Sequence, residues 1–316
     1  MVSARAFGKL ILIGEHAVVY GCPAIAAGID KGARAWARSG VPESRLSLGV
    51  SQVAARDSSE SARAFRALLE HLQAASGNRS AVAVEVTLDL PAGVGLGASA
   101  AIAVAIARAA CAALGIQAND ALVLKAANAW ESVFHGNPSG VDVAAAMAAG
   151  PIWFVRGSAP SPLPCARSLC LAVALAGPPA ATHRMVDLVR QLHDLEQGRF
   201  SERIGRVGEL AQRAKSALAR GDLVELGRCF DANQRELEGL GVSTAELEHA
   251  CRTARGAGAL GAKLTGAGGG GAVIALCDGS AEDVLQAWSR LGVQAFAAEV
   301  AASPSPPDPD PDPGAP

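Results

Sequence analysis

Three glycine-punctuated segments carry residues able to handle a phosphorylated nucleotide. They are Gly8–His16 near the start of the chain, Pro91–Ala101 in the middle and Lys263–Gly271 near the end. Glycine runs let a backbone turn tightly and bring several N–H groups to one ligand, which suits a polyanion such as phosphate. One such loop is common by chance. Three in one chain, each beside a strand-forming run, point to a nucleotide and a transfer reaction. In the middle loop, Pro91, Gly93, Gly95, Leu96, Gly97, Ala98, Ser99 and Ala100 lead into an alanine-rich helix whose N-terminal dipole favours a phosphate group. Ser99 offers a hydroxyl to the phosphates or to a magnesium ion, or else caps the helix; the residue alone leaves both open.

A fourth segment, Glu131–Asp142, ends a helix and turns sharply through Gly136, Pro138 and Gly140, concentrating Glu131, His135, Asn137, Ser139 and Asp142. Mg²⁺ takes few protein ligands and several phosphate oxygens and waters, so a carboxylate and a hydroxyl from different loops are enough for it. A second carboxylate can accept a hydroxyl proton, and a nearby lysine can offset charge on the transferred group. Each residue also has a plainer reading. Asp142 alone reads as a turn residue or cap, His16 as a core histidine, and Lys263 as a solvated charge at a strand end. His71, His183, His193 and His249 read as surface or packing residues.

Two other nucleotide motifs fit less well. Gly93-x-Gly95-x-x-Ala98 between a strand and a helix matches part of a dinucleotide fingerprint, but that fold needs a second strand ending in an acidic residue about twenty positions on. Here Gly115–Ala118 runs directly into another helical pattern. No Gly-x-x-x-x-Gly-Lys-Ser/Thr occurs, which disfavours a Walker-type ATPase.

The elements that must position these loops are legible in part. Lys9–Ile13 and Ala81–Leu88 read as strands, with a mixed, Gly-rich region following the first up to about Gly40. Ser58–Ala75 carries apolar residues at helical spacing, and Asp120–Phe134 reads as a helix capped by Asn119 or Asp120. Strands are expected at Pro151–Val155, Leu171–Leu175 and Gly271–Leu276, with several helices between Thr182 and Arg255. Gly157–Pro164 is the expected domain boundary, and Ser303–Pro313, alternating proline with polar residues, reads as a disordered tail. The expected division is therefore 1–160, 161–302 and a tail over 303–316.

With 316 residues, two domains of ordinary size are expected. Half the residues are hydrophobic but only 4% aromatic, so the core must be built from Ala, Val, Leu and Ile. A formal charge of −2 gives no electrostatic footprint for nucleic acid or an anionic membrane, so neither is an expected partner. The longest apolar stretch, Ala98–Leu114, is mostly alanine and carries Arg108, which reads as a buried helix and not a membrane span. Seven scattered cysteines without a Cys-x-x-Cys pair suggest neither a disulfide framework nor a zinc site. With no signal-peptide pattern, they point to reduced thiols in a cytoplasmic protein.

Taken together, the motifs resemble the signatures of the GHMP kinases, small-molecule kinases acting on galactose, homoserine, mevalonate and phosphomevalonate. Lys9–Gly21, His135–Asp142, Asn233-Gln234 with Leu240–Ser243, and Lys263–Gly271 are most similar to the mevalonate kinase branch. The resemblance spans about Ala6 to Leu276. It implies an α+β fold in two domains, ribosomal-protein-S5-like then ferredoxin-like, with ATP and Mg²⁺ as cofactors and a small-molecule acceptor, mevalonate, phosphorylated on its 5-hydroxyl. It further implies that Asp142 is the catalytic base and Lys9 its neighbour offsetting phosphoryl charge. Glu131 and Ser99 would hold magnesium, Pro91 and Gly93–Ala100 would wrap the ATP phosphates, and Glu15, His16 and Thr265 would serve the acceptor. The 266–271 loop would close near the site, and a homodimer is the usual assembly among mevalonate kinases. One departure is Ala98, where the family often has a first serine; Ser99 retains the position assigned to magnesium. Rival readings are another GHMP kinase acting on phosphomevalonate, homoserine or a sugar, and a non-catalytic nucleotide-binding paralogue.

Overall fold

The first strand, β1 (Val2–Ile13), pairs antiparallel along almost its whole length with β2 (Ala24–Ser39), from Val2 opposite Ala37 to Ile13 opposite Ile25. This computed structural model describes residues 1–91, 93–136, 138–178 and 180–303. Ala92, Asn137 and the expected tail beyond Ser303 therefore lie outside the described residues. The other edge of β2 is shared. Its first residues pair with β6 (Pro151–Phe154) and its last seven with β5 (Val82–Leu88). With β3 (Arg45–Leu48), β4 (Ser51–Ala54) and β7 (Ser161–Pro162) this makes a seven-stranded sheet in the order β4-β3-β5-β2-β6-β7, with β1 on the free edge of β2.

Four helices cover one face of this sheet: α1 (Glu60–Ser76), α2 (Ala98–Leu114), α3 (Asp120–His135) and α4 (Val141–Met147). Helix α2 buries Ala100, Ala101, Ala103, Ala105, Ala107, Ala109 and Ala110 among its core residues. Such small side chains let its backbone lie close to the strands beneath, at the cost of less apolar area per residue. Helix α3 starts as expected, with the Asn119 side chain accepting from Leu122 N at 2.9 Å.

The second sheet is fully antiparallel, in the order β11-β8-β10-β9: β8 (Leu169–Leu175), β9 (Gly261–Thr265), β10 (Ala272–Cys277) and β11 (Ala295–Val300). Its helices are α5 (Thr182–Leu195), α6 (Gln197–Arg220), α7 (Leu223–Gly239), α8 (Ala245–Gly256) and α9 (Glu282–Arg290). The two sheets are joined by a shared core. Leu10, Leu12, Ile25 and Ile29 of the first pack with Leu171, Val173, Ile274 and Leu276 of the second and with α6 and α7.

Several expectations change. The mixed region before Gly40 holds a short 3-10 turn, Ala17–Tyr20, and then a single sixteen-residue strand, Ala24–Ser39. Its alanines and glycines have weak strand preference, and pairing on both edges overrides it. Ser161–Pro162 pairs with β6, so the first sheet extends past the expected boundary at 160. Ser303 forms an isolated bridge with Cys165, which takes that residue out of the expected tail. All seven cysteines are free thiols, five of them buried. Among the described residues, no helix is long and apolar enough to cross a membrane.

Candidate active site

Lys9 of β1 and Asp142 of α4 form an ion pair. The Lys9 side chain, 6% exposed, places Nζ 2.9 Å from Oδ1 of Asp142, whose own side chain is 43% exposed. Two backbone features set this pair. Lys9 N donates to Leu96 O at 2.9 Å, which clamps the middle loop onto β1. Gly140, with φ of 83°, turns the chain into α4 so that Asp142 falls in that helix's first turn. At the other end of α4, Arg108 of α2 donates to Met147 O at 3.0 Å and to Arg5 O of β1 at 2.9 Å. One guanidinium thus fastens the helix bearing Asp142 and the strand bearing Lys9 to the same point. A cation at a helix C-terminus is also favourable to the dipole.

The middle loop passes directly over Lys9. Gly93, Gly95 and Gly97 all have positive φ, between 74° and 80°. At Gly97 the reason is contact as well as conformation, since a Cβ there would lie 2.5 Å from Lys9 Cγ. Gly97 offers no side-chain cap, and the first α2 bond is Ala101 N to Gly97 O at 2.9 Å. The N–H groups of Ala98, Ser99 and Ala100 precede that bond and have no acceptor within the helix, which is the arrangement that binds phosphate. Leu96, 1% exposed, anchors the loop in the shared core, and the Ala100 side chain faces inward. From the described part of the loop, Gly93, Gly95, Gly97 and the amides of residues 98–100 are thus left to meet a ligand; Pro91 is half-buried at its start.

Ser99 and Glu131 also come together. Ser99 Oγ donates to Glu131 Oε1 at 2.5 Å, and the indole Nε1 of Trp130 donates to Ser99 Oγ at 3.1 Å. Burial raises the Glu131 carboxyl above the usual range; the Ser99 bond opposes this, and the nearby charge of Asp142 adds to it. His135 Nε2 stands 3.8 Å from Glu131 Oε2. Among the described residues no three His, Cys, Asp or Glu side chains cluster as a metal cage. One carboxylate and one hydroxyl, both hard oxygen donors, nonetheless suit Mg²⁺ beside nucleotide phosphates.

The third motif meets β1 from the opposite side. Lys263, which the sequence leaves open as a solvated charge, is completely buried. Its ammonium is paired with Glu15 Oε1 and donates to Leu264 O at 2.6 Å. Asn233 Nδ2 donates to the other Glu15 oxygen at 3.1 Å. Burial lowers the Lys263 pKa, opposed by Glu15. The Thr265 hydroxyl accepts from Ile11 N at 2.9 Å and donates to Ile11 O at 3.1 Å. Glu15 and Thr265, expected to touch the acceptor, thus direct these groups into the joint between the sheets; they are 1% and 4% exposed. His16 has φ of 60° and gives its Nε2 proton to Ala267 O at 2.8 Å, tying the 266–271 loop to the end of β1. Burial pushes the imidazole pKa down, so the ring is neutral near neutrality and keeps Nδ1 as a lone-pair acceptor.

Arg108, Trp130 and Lys263 are the residues that motif reading missed or left undecided. Arg108 had a signal, as the sole charge in an apolar helix. Trp130 had none beyond its place next to Glu131. A separate surface cavity of about 470 Å³, lined by Asp30, Arg167, Cys170, Cys277 and Glu299 among others, shares no residue with this site.

Comparison with known proteins places the chain in a family. The family model described as the GHMP kinases N terminal domain matches residues 62–150, and that of the GHMP kinases C terminal matches residues 214–294. The chain is 37% identical over 313 residues to a mevalonate kinase of Aeropyrum pernix, covering 94% of this chain and 95% of that one. It is 33% identical over 309 residues to a mevalonate kinase of Thermococcus onnurineus, covering 90% and 92%. Among solved structures, L. major mevalonate kinase in complex with R-mevalonate superposes with a TM-score of 0.86 at 29% identity, covering 96% of this chain and 97% of that one.

Proposed function

Because this chain belongs to the GHMP kinase family, and to its mevalonate kinases by sequence, we propose that it transfers the γ-phosphoryl group of ATP to the 5-hydroxyl of mevalonate. The observation that carries the proposal is the Lys9–Asp142 pair, set beneath a glycine loop and beside a helix start whose first amides have no acceptor among the described residues.

In this reading the amides of Ala98, Ser99 and Ala100, with the loop from Gly93 to Gly97, hold the nucleotide phosphates. Asp142, the exposed member of its pair, accepts the proton as the acceptor hydroxyl attacks phosphorus; ADP departs as the new P–O bond forms. Lys9 faces the phosphoryl group in flight and offsets its charge. Since little covalent chemistry falls to the protein, positioning and charge supply most of the acceleration. Ser99 and Glu131 would hold Mg²⁺, which when bound neutralises phosphate charge. Glu15, Lys263 and Thr265 act on the acceptor side as positioning residues, by fixing the end of β1 against β9. His16 tethers the 266–271 loop and retains Nδ1 toward an acceptor group.

The test is ADP release with magnesium and ATP, offering mevalonate beside phosphomevalonate, homoserine and galactose. Turnover on mevalonate alone is expected. Turnover on another acceptor instead keeps the phosphotransferase and removes the substrate assignment. ATP binding without turnover on any acceptor overturns the proposal.

A further inference from the structure

We propose that Trp130 is a positioning residue for Ser99: its indole N–H fixes the Ser99 hydroxyl so that one lone pair is kept for the cation accompanying the nucleotide. This rests on the reading of Ser99 and Glu131 as the cation's oxygen ligands.

A hydroxyl has one proton and two lone pairs. In Ser99 the proton goes to Glu131 Oε1 at 2.5 Å and one lone pair takes the Trp130 N–H at 3.1 Å. The remaining lone pair therefore has a fixed direction. Consecutive helical residues point about 100° apart and do not face one another. Trp130 and Glu131 nevertheless both bond the hydroxyl of Ser99, which stands on the first turn of α2.

A buried indole N–H usually needs an acceptor, and Trp288 shows the plain solution, donating to the backbone oxygen of Ala250 at 3.0 Å. Trp130, 2% exposed, instead bonds the side chain that also holds the Glu131 carboxylate. Phe134, one turn on, packs against the indole at 5.7 Å between ring centres. Rotation of Ser99 away from this position leaves both a buried N–H and a buried carboxylate oxygen unpaired, so the hydroxyl is locked from two sides.

The test measures ADP binding by calorimetry, with Mg²⁺ and with EDTA, in the wild type, Trp130→Phe, Ser99→Ala and the double variant. Phenylalanine keeps a ring in the core and removes the donor. Trp130→Phe is expected to lose roughly two- to tenfold in magnesium-dependent affinity, the scale of one neutral hydrogen bond. Its affinity for ADP in EDTA should not change, and the double variant should bind no more weakly than Ser99→Ala. Unchanged Mg·ADP affinity in Trp130→Phe, equal losses with and without metal, or losses additive with Ser99→Ala overturn the inference while leaving Ser99 as a ligand. Wild-type Mg·ADP binding by Ser99→Ala overturns the parent reading, and the inference with it. Should Trp130→Phe fail to fold, benzothienylalanine at position 130, which keeps the double ring without the N–H, is read in the same way.

Discussion

The Lys9 side chain runs directly beneath Gly97, where a single added methyl group would lie 2.5 Å from its Cγ. The glycine loop and the ammonium beside Asp142 are therefore one packed unit, and the spacing of each depends on the other. Gly97 also stands at φ of 74°, a conformation costing an L-residue about 1–2 kcal/mol. Gly97→Ala is expected to push Lys9 away from Asp142 and to lower kcat by roughly 10²-fold, as small misplacements of reacting groups do. Steady-state kinetics on a folded variant decide it, and wild-type turnover would show that Lys9 yields without leaving its partner.

Asp142→Asn keeps the shape of the first turn of α4 and removes the proton acceptor. Turnover should fall by about 10²–10⁴-fold, the usual contribution of a general base. ADP affinity, read by calorimetry, should stay close to wild type, because the loop amides are untouched. Lys9→Met should depress kcat far more than it raises KM for ATP, the pattern of an interaction made in the transition state. A variant at Asp142 retaining more than about a tenth of the rate removes that residue from the proton-accepting role.

Lys263 and Glu15 form an ion pair buried from solvent on both sides. Lys263→Met leaves the Glu15 charge uncompensated in the core and should cost about 3–5 kcal/mol. Adding Glu15→Gln should restore part of that loss, because the stranded charge is then gone. Urea midpoints of the two variants check this. A double variant as unstable as the single one contradicts the pairing as the source of the loss.

His16 gives a pH dependence with a definite sign. Burial lowers its pKa in the folded protein below the ordinary 6.5, so the unfolded chain takes up the proton first on acidification. Its contribution to stability is complete above 6.5 and is lost as pH falls through the lowered value. His16→Asn, which tolerates the positive φ, has no such group. The stability gap between wild type and variant should narrow below 6.5 by at most ~1.4 kcal/mol per pH unit. Thermal unfolding across the mildly acidic range measures it, and parallel curves would exclude His16 as the titrating group.

Much of the candidate site's local geometry could be read in advance because its signals are local. Gly93, Gly95 and Gly97 announce a positive-φ loop, and Asn119 announces the start of α3, since glycine and cap residues act within a few positions of themselves. Strand β2 escaped the same reading. Its alanines, glycines and charges carry weak period-two contrast, and only pairing with β1, β5 and β6 makes it a strand.

The sequence by itself marked the candidate residues of a nucleotide site: Lys9, the glycine loop with Ser99, Glu131 and Asp142, each by its own motif. Tertiary structure decided their distances and the unmarked residues that set them. Arg108 reaches both Arg5 O and Met147 O, Trp130 locks Ser99 against Glu131, and Lys263 vanishes into the joint between the sheets. Those partners lie on separate elements, and no local pattern encodes a hydrogen bond that exists only once two elements have packed. That is why Lys263 reads as a surface charge in sequence and is a wholly buried ion in the fold.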